Sequence, residues 1–284
     1  MRLRGRVNTG QIEDRRGSRG RGVAIGGGGL GIAGVILALV LSFAGGGGGS
    51  GVADVLRQLE APSATTQDSQ PLDCSQGADT NTACFVTAVV NDVQATWADI
   101  FQAQGRHYDP TKLVLFTDAT STGCGHASSA TGPFYCPADR KVYLDLGFFQ
   151  ELRDRFGAPG DFAQAYVVAH EFGHHVQNLL GTSAQVDRQE RRGGAAARDA
   201  SIALELQADC YAGVWAHETS ADLDPSDFDE ALDAAASVGD DRLQRQAGQR
   251  VNPDTWTHGS SEQRMSWFRR GAANGRMSDC DTFS

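Results

Sequence analysis

The residues most able to do chemistry are His170-Glu171-Phe172-Gly173-His174. On a helix, positions i and i+4 stack one turn apart on one face, so both imidazoles can reach a common ion. Glu171 then projects about 100° around the helix, beside that ion and not onto it, where its carboxylate can hold a water. Tyr166-Val167-Val168-Ala169 leads into the motif as an apolar run, which predicts a buried helix. Polar side chains on such a helix need partners, and a metal supplies them. Zinc is the ion this pattern points to, and a catalytic zinc takes a third protein ligand and keeps one position open.

The third ligand has to come from elsewhere. The longer motif that ends in a third histidine fails, because position 177 is Gln and position 180 is Leu. Downstream, Leu204-Glu205-Leu206-Gln207-Ala208-Asp209 again places two acids at i and i+4. Glu205 reads as the ligand, and Asp209 as the acceptor of a ligand histidine's outer N–H, fixing its tautomer. The bland alternative is a solvated acidic helix face, which the apolar flank Ser201-Ile202-Ala203-Leu204 argues against. One zinc per chain is therefore expected on His170, His174 and Glu205. His175 lies about 140° from the ligand face and reads as structural. His107, His126 and His217 make weak claims. Gly173 costs about 1 kcal/mol inside a helix and suggests close packing against a neighbour.

These side chains need elements to hold them. Phe85, Val86, Val89, Val93, Trp97, Ile100 and Phe101 recur at helical spacing, predicting a helix over 82–104. Short β-prone runs at 113–116, 134–136 and 142–144 predict a small sheet, with 141–145 a candidate edge for aligning a peptide. The motif helix should run from Asp161, with Asp161 as cap and Gln164 three residues on, to a stop at Gly181. Further helices are predicted over about 196–218, 226–238 and 261–270, the last with a Ser260/Gln263 capping box. The fold class is α+β, a small sheet followed by a mostly helical second half.

The first 73 residues read differently. Seven arginines against Glu13 and Asp14 give residues 1–22 a net charge of +5, which leaves −15 of the chain's −10 for the remainder. So acidic a bulk repels phosphate backbones, and nucleic acid is excluded as a partner. Val23 to Ala44 is apolar, uncharged and long enough to span a bilayer. The expected organisation is a cytoplasmic Arg-rich tail (1–22), a transmembrane helix (23–44), a Gly/Ser/Pro-rich linker (45–73) and a zinc-binding domain (74–284). The expected location is the cell membrane, in one pass, with the N-terminus cytoplasmic and the domain outside. A signal peptide cleaved after Ala44 is the rival reading. All six cysteines follow the apolar segment, as suits an exported domain. The expected pairs are Cys74–Cys84, Cys124–Cys136 and Cys210–Cys280, the first two closing short loops.

Taken together, these motifs resemble the bacterial neutral zinc metallopeptidase family, within the broader gluzincin group. The resemblance runs through Ile12 to Gly17, Gly132 to Pro137, Lys141 to Asp145, His170 to Gln177, Glu205 to Cys210, and Thr257-His258-Gly259-Ser260 on to Arg264. It implies a gluzincin-like fold, with a small sheet over the active-site helix and the glutamate helix packed against it. The implied activity is hydrolysis of a peptide or protein substrate; the expectation is a metalloendopeptidase more than an exopeptidase, with Glu171, from its place beside the ion, as general base. A late His followed by Arg in related membrane-bound gluzincins implies that His258 stabilises the oxyanion and that Arg264 positions it. The competing class is a zinc-binding scaffold or sensor that no longer cleaves; an intact Glu171 counts against it.

Overall fold

The computed structural model describes residues 1–3, 7–17 and 72–284. The apolar stretch 23–44, and with it the expected transmembrane helix, lies outside the described residues. Among the described residues no helix is long and apolar enough to cross a membrane.

Thr82–Ala103 (α1) forms because Asn81 caps it, accepting from the Cys84 N–H at 3.0 Å, and because one face is continuously apolar. Val86, Val89, Val93 and Trp97 on that face are fully buried, so packing overrides the poor helix propensity of valine. The principal sheet has four strands: Ile12–Asp14 (β1), Leu113–Phe116 (β2), Phe134–Cys136 (β5) and Lys141–Asp145 (β6). Their order is β1-β2-β6-β5, with β1, β2 and β6 parallel and β5 antiparallel to β6. Side chains alternate across it with period two. Leu113, Leu115, Val142 and Leu144 face the main core, whereas Val114, Phe116 and Tyr143 form a second cluster with Phe134 and Ala127. Ala127 comes from a hairpin of Ala119–Thr122 (β3) and Gly125–Ser128 (β4).

Two expectations about the sheet change. Part of the presumed tail 1–22 is built into the domain: Ile12, Glu13 and Asp14 pair with Leu113, Val114 and Leu115. Glu13 also binds Lys141 Nζ at 2.7 Å. A three-residue strand carries too little pattern to be seen in sequence. The second concerns β6, which is flanked by β2 and β5 and is not an edge. Among the described residues the edges are β1 and β5.

The rest is helical: Phe148–Asp154 (α2), Asp161–Leu180 (α3), Thr182–Glu190 (α4), Ala195–Glu218 (α5), Asp227–Ser237 (α6), Asp240–Gln246 (α7) and Ser261–Asn274 (α8). In α5 every residue from Leu204 to Ala216 is buried, so this helix runs through the middle of the domain. Its neighbours approach closely where side chains are small. A Cβ on Gly173 of α3 would stand 3.1 Å from the Ala208 carbonyl, and Cβ atoms on Gly213 or Gly271 would collide with backbone across the α5–α8 contact. The α3 stop at Gly181 is as expected, in the left-handed region at φ 84°. Its start is not capped by Asp161; Glu230 of α6 accepts instead from the Phe162 N–H at 3.0 Å. The Ser260/Gln263 capping box on α8 and all three expected disulfides are present.

Candidate metal centre

The close crossing at Gly173 and Ala208 brings the ligand faces of α3 and α5 together. His170 Nε2 lies 3.3 Å from Glu205 Oε2, and His174 Nε2 lies 3.4 Å from Glu205 Oε1. One donor atom from each of these three residues falls within 4.8 Å of the others. Donors about 2.0–2.1 Å from a tetrahedral zinc stand about 3.3 Å apart, so the spacing suits that ion. The protons point the same way. His170 Nδ1 bonds Asp209 Oδ1 at 2.9 Å and His174 Nδ1 bonds Gln177 Oε1 at 2.8 Å, which makes both Nδ1 atoms the donors. In neutral imidazoles both Nε2 lone pairs then face a carboxylate. Among the described residues, buried Glu205 Oε2 has no hydrogen-bond partner. An enclosed set of acceptors of this kind calls for a cation.

The electrostatics express that demand. Burial opposes charge on Glu205, but His174 and His170, with His258 nearby, hold its carboxyl well below the usual range. Burial alone would lower the His170 pKa; the hydrogen bond and charge of Asp209, with help from Glu205, override it and push it up to about 9. A proton therefore takes the cation's place readily. Glu171 is 5 % exposed and, among the described residues, its carboxylate makes neither a hydrogen bond nor an ion pair. Burial raises its pKa against the pull of His174 and His170.

Asp209, fully buried, is the hub behind His170. Its Oδ2 accepts from Arg264 Nε at 2.8 Å, its Oδ1 from Arg264 Nη2 at 2.9 Å, and the Tyr166 hydroxyl adds a further bond to Oδ1. Burial disfavours its charge, yet Arg264 and His170 keep its carboxyl below the usual range. The resemblance implied that Arg264 positions His258, and here the structure differs. Arg264 clamps Asp209, because the α5–α8 contact leaves its side chain 3 % exposed against α5. His258 is positioned by Asp240, whose Oδ2 accepts the backbone N–H groups of Thr257, His258 and Gly259 at 2.8, 2.7 and 3.1 Å. Asp240 Oδ1 lies 3.1 Å from His258 Nδ1.

His175 faces away from the centre, bonding the Asp109 carbonyl at 2.7 Å and the Tyr135 hydroxyl at 3.1 Å. His107 is a surface residue paired with Asp109, His126 is exposed on β4, and His217 bonds the Ala272 carbonyl. Sequence reasoning missed Tyr166, Gln177 and Asp240. Tyr166 and Gln177 had a signal, since they lie four residues before one ligand and three after the other, each on its ligand's face. Asp240 had none, lying 18 residues from His258 in an unpredicted helix.

A chain of this kind, with two helices presenting His170, His174 and Glu205 beside a buried Glu171, has sequence relatives. The family described as "Putative neutral zinc metallopeptidase" matches residues 1–283. The chain belongs to that family. "Uncharacterized protein YpfJ" of Escherichia coli K12 is 42 % identical over 290 residues, covering 100 % of this chain and 99 % of that protein. "Uncharacterized protein Rv2575" of Mycobacterium tuberculosis H37Rv is 46 % identical over 226 residues, 74 % of each chain. No solved structure matches.

Proposed function

We propose that the chain is a zinc-dependent endopeptidase whose working residues are Glu171 and His258. The observation that carries the reading is a pairing within one buried pocket. Three donor atoms suited to a cation converge there, and among the described residues the Glu171 carboxylate makes no hydrogen bond or ion pair. His170, His174 and Glu205 would hold the ion, which when bound supplies Lewis-acid polarisation of a carbonyl and a more acidic water. Glu171 takes the proton of the attacking water and delivers it to the departing amine, a role for which its raised pKa suits it. His258 has Nδ1 committed to Asp240, so it donates to a developing oxyanion through Nε2 when doubly protonated, with Asp240 as counter-charge. A scaffold would have no use for an unpaired buried glutamate, which favours hydrolysis over silent zinc binding.

For substrate alignment we favour β5. It is the edge nearer the metal helix, tied to α3 where the Tyr135 hydroxyl meets His175 and Asn178. An extended peptide adding to that edge would take its main-chain hydrogen bonds from β5. Location is likewise a proposal: the disulfide-bonded domain belongs in an oxidising compartment, anchored through the apolar segment 23–44. The docked β1 sets a condition on this. A strand paired with β2 shares its compartment, so a cytoplasmic tail and an outward domain require β1 to be undocked.

The test is metal content and peptide-library cleavage by the full chain, alongside Glu171→Gln. Zinc near one per chain in both, with cleavage only in the wild type, is expected. A wild type that carries zinc and cleaves nothing, or a Glu171→Gln variant that cleaves normally, would sink the proposal.

A further inference from the structure

The support behind His174 leads away from the centre to the C-terminus. His174 Nε2 faces Glu205, so the ring proton sits on Nδ1 and Gln177 Oε1 accepts it at 2.8 Å. That fixes the Gln177 amide: its Nε2 donates to the Leu204 carbonyl at 2.7 Å and to Gln207 Oε1 at 3.1 Å. With its oxygen taken, Gln207 must donate outward, and its Nε2 reaches the Cys280 carbonyl at 2.9 Å. A backbone carbonyl can only accept, so the relay has a donor at one end and an acceptor at the other. Turning either amide over would set like groups against each other among side chains that are 0 % (Gln177) and 7 % (Gln207) exposed.

The far end is tethered. Gln207 and Cys210 lie three residues apart on one face of α5, and Cys210 is bonded to Cys280. The disulfide therefore holds the carbonyl of residue 280 over the amide that needs it. Thr282 Oγ1 adds a second tie, to the Ala203 carbonyl at 2.6 Å.

We propose that Gln177 and Gln207 are positioning residues that fix the ring plane and the Nε2-ligating tautomer of His174, and that the Cys210–Cys280 disulfide holds the acceptor on which that relay ends. The inference rests on the reading of His170, His174 and Glu205 as metal ligands. Such support behind a ligand acts on metal affinity, which makes it measurable without any substrate.

The experiment is the zinc dissociation constant of the full chain, by chelator competition, with melting temperature recorded alongside. Gln177→Met should weaken zinc binding by about 10–100-fold, the usual cost of losing a partner behind a ligand. Gln177→Glu keeps an acceptor for His174 and should fall nearer the wild type. Gln207→Met and Cys210→Ala/Cys280→Ala should each weaken binding by about three- to tenfold, and by less than about twofold once Gln177 is Met, because the relay is then already cut. Gln94→Met is the control: it removes a buried amide of α1, whose Oε1 bonds the Thr111 N–H, and should lower the melting temperature and leave zinc affinity alone. A wild type that binds no zinc would refute the ligand reading itself. A wild type that binds zinc, with Gln177→Met within about twofold of it or no weaker than Gln94→Met, would overturn the positioning role. Full additivity between Gln177→Met and the cysteine pair would overturn the tether. Should Gln177→Met fail to fold, Gln207→Met and the cysteine pair decide the same question.

Discussion

His170 and His174 stand one helical turn apart with ring centroids 4.8 Å from each other, yet they are held from behind by opposite chemistry. Behind His170 is a charged clamp, with Asp209 between the imidazole and the Arg264 guanidinium. Behind His174 is a neutral amide relay that ends on backbone. The contrast balances the pocket. Two histidines and one glutamate would leave a divalent ion held there with a net positive charge, and so a strong Lewis acid. Asp209 and Arg264 cancel each other, and a second carboxylate in place of Gln177 would erode that charge. One candidate ligand is thus fixed by ions and the other by amides.

The largest expected effect comes from breaking the charged side. Asp209→Ala leaves the Arg264 guanidinium buried and uncompensated, which should cost about 3–5 kcal/mol of stability along with zinc affinity. Gln177→Met, by contrast, strands neutral groups and should cost only about 1–3 kcal/mol. Removing both charges, as Asp209→Leu/Arg264→Met, should recover much of the stability and none of the affinity. Chemical denaturation with parallel zinc titration checks all three. Equal stability losses for Asp209→Ala and Gln177→Met would erase the distinction between the two supports.

The two supports also differ in how far they could be read from sequence. Asp209 was legible because it sits four residues after Glu205 on one buried face, a local rule. The helices carrying His170 and Glu205 were legible within a residue or so, because their apolar periods run for five or more turns. Gln177 was in plain view, but its meaning depends on Gln207 and Cys280, which only the tertiary fold brings near. Arg264 was found for the wrong partner: the family resemblance linked it to His258, whereas the glycine contact between α5 and α8 delivers it to Asp209. Short pieces such as β1, α2 and α7 escaped, since three to seven residues hold too little periodicity to stand out.

A smaller effect on stability, but a clear one on rate, is expected at His258. It lies outside both supports, so His258→Ala should keep its zinc. Its turnover of whatever peptide the wild type cleaves should fall about 10²–10³-fold, mainly in kcat, as for loss of one oxyanion donor. Asp240→Asn should lower kcat less, because the backbone N–H groups keep an acceptor in Oδ1 of the amide. A His258→Ala enzyme with wild-type kcat would assign the residue to the loop alone.

The smallest effect is expected furthest from the metal, at β1, and it asks whether the sheet is as complete as the two ligand supports. Glu13 joins β1 to β6 through Lys141 and braces Arg15, whose guanidinium lies 5.7 Å from the Tyr143 ring centre. These groups are about one-third exposed, so Glu13→Lys should cost no more than about 1 kcal/mol and leave zinc affinity untouched. That loss exists only while the strand is docked. In a membrane-inserted chain with its N-terminus in the cytoplasm and its domain outside, residue 13 never meets residue 141, and Glu13→Lys changes nothing. Thermal melts of the chain in isolated cell membranes, paired with impermeant thiol labelling of Thr9→Cys on intact cells, read both outcomes. A destabilised, outside-labelled protein places the strand and the metal helix in one compartment. An unchanged melt with a protected thiol would show that β1 leaves the sheet when the chain is anchored.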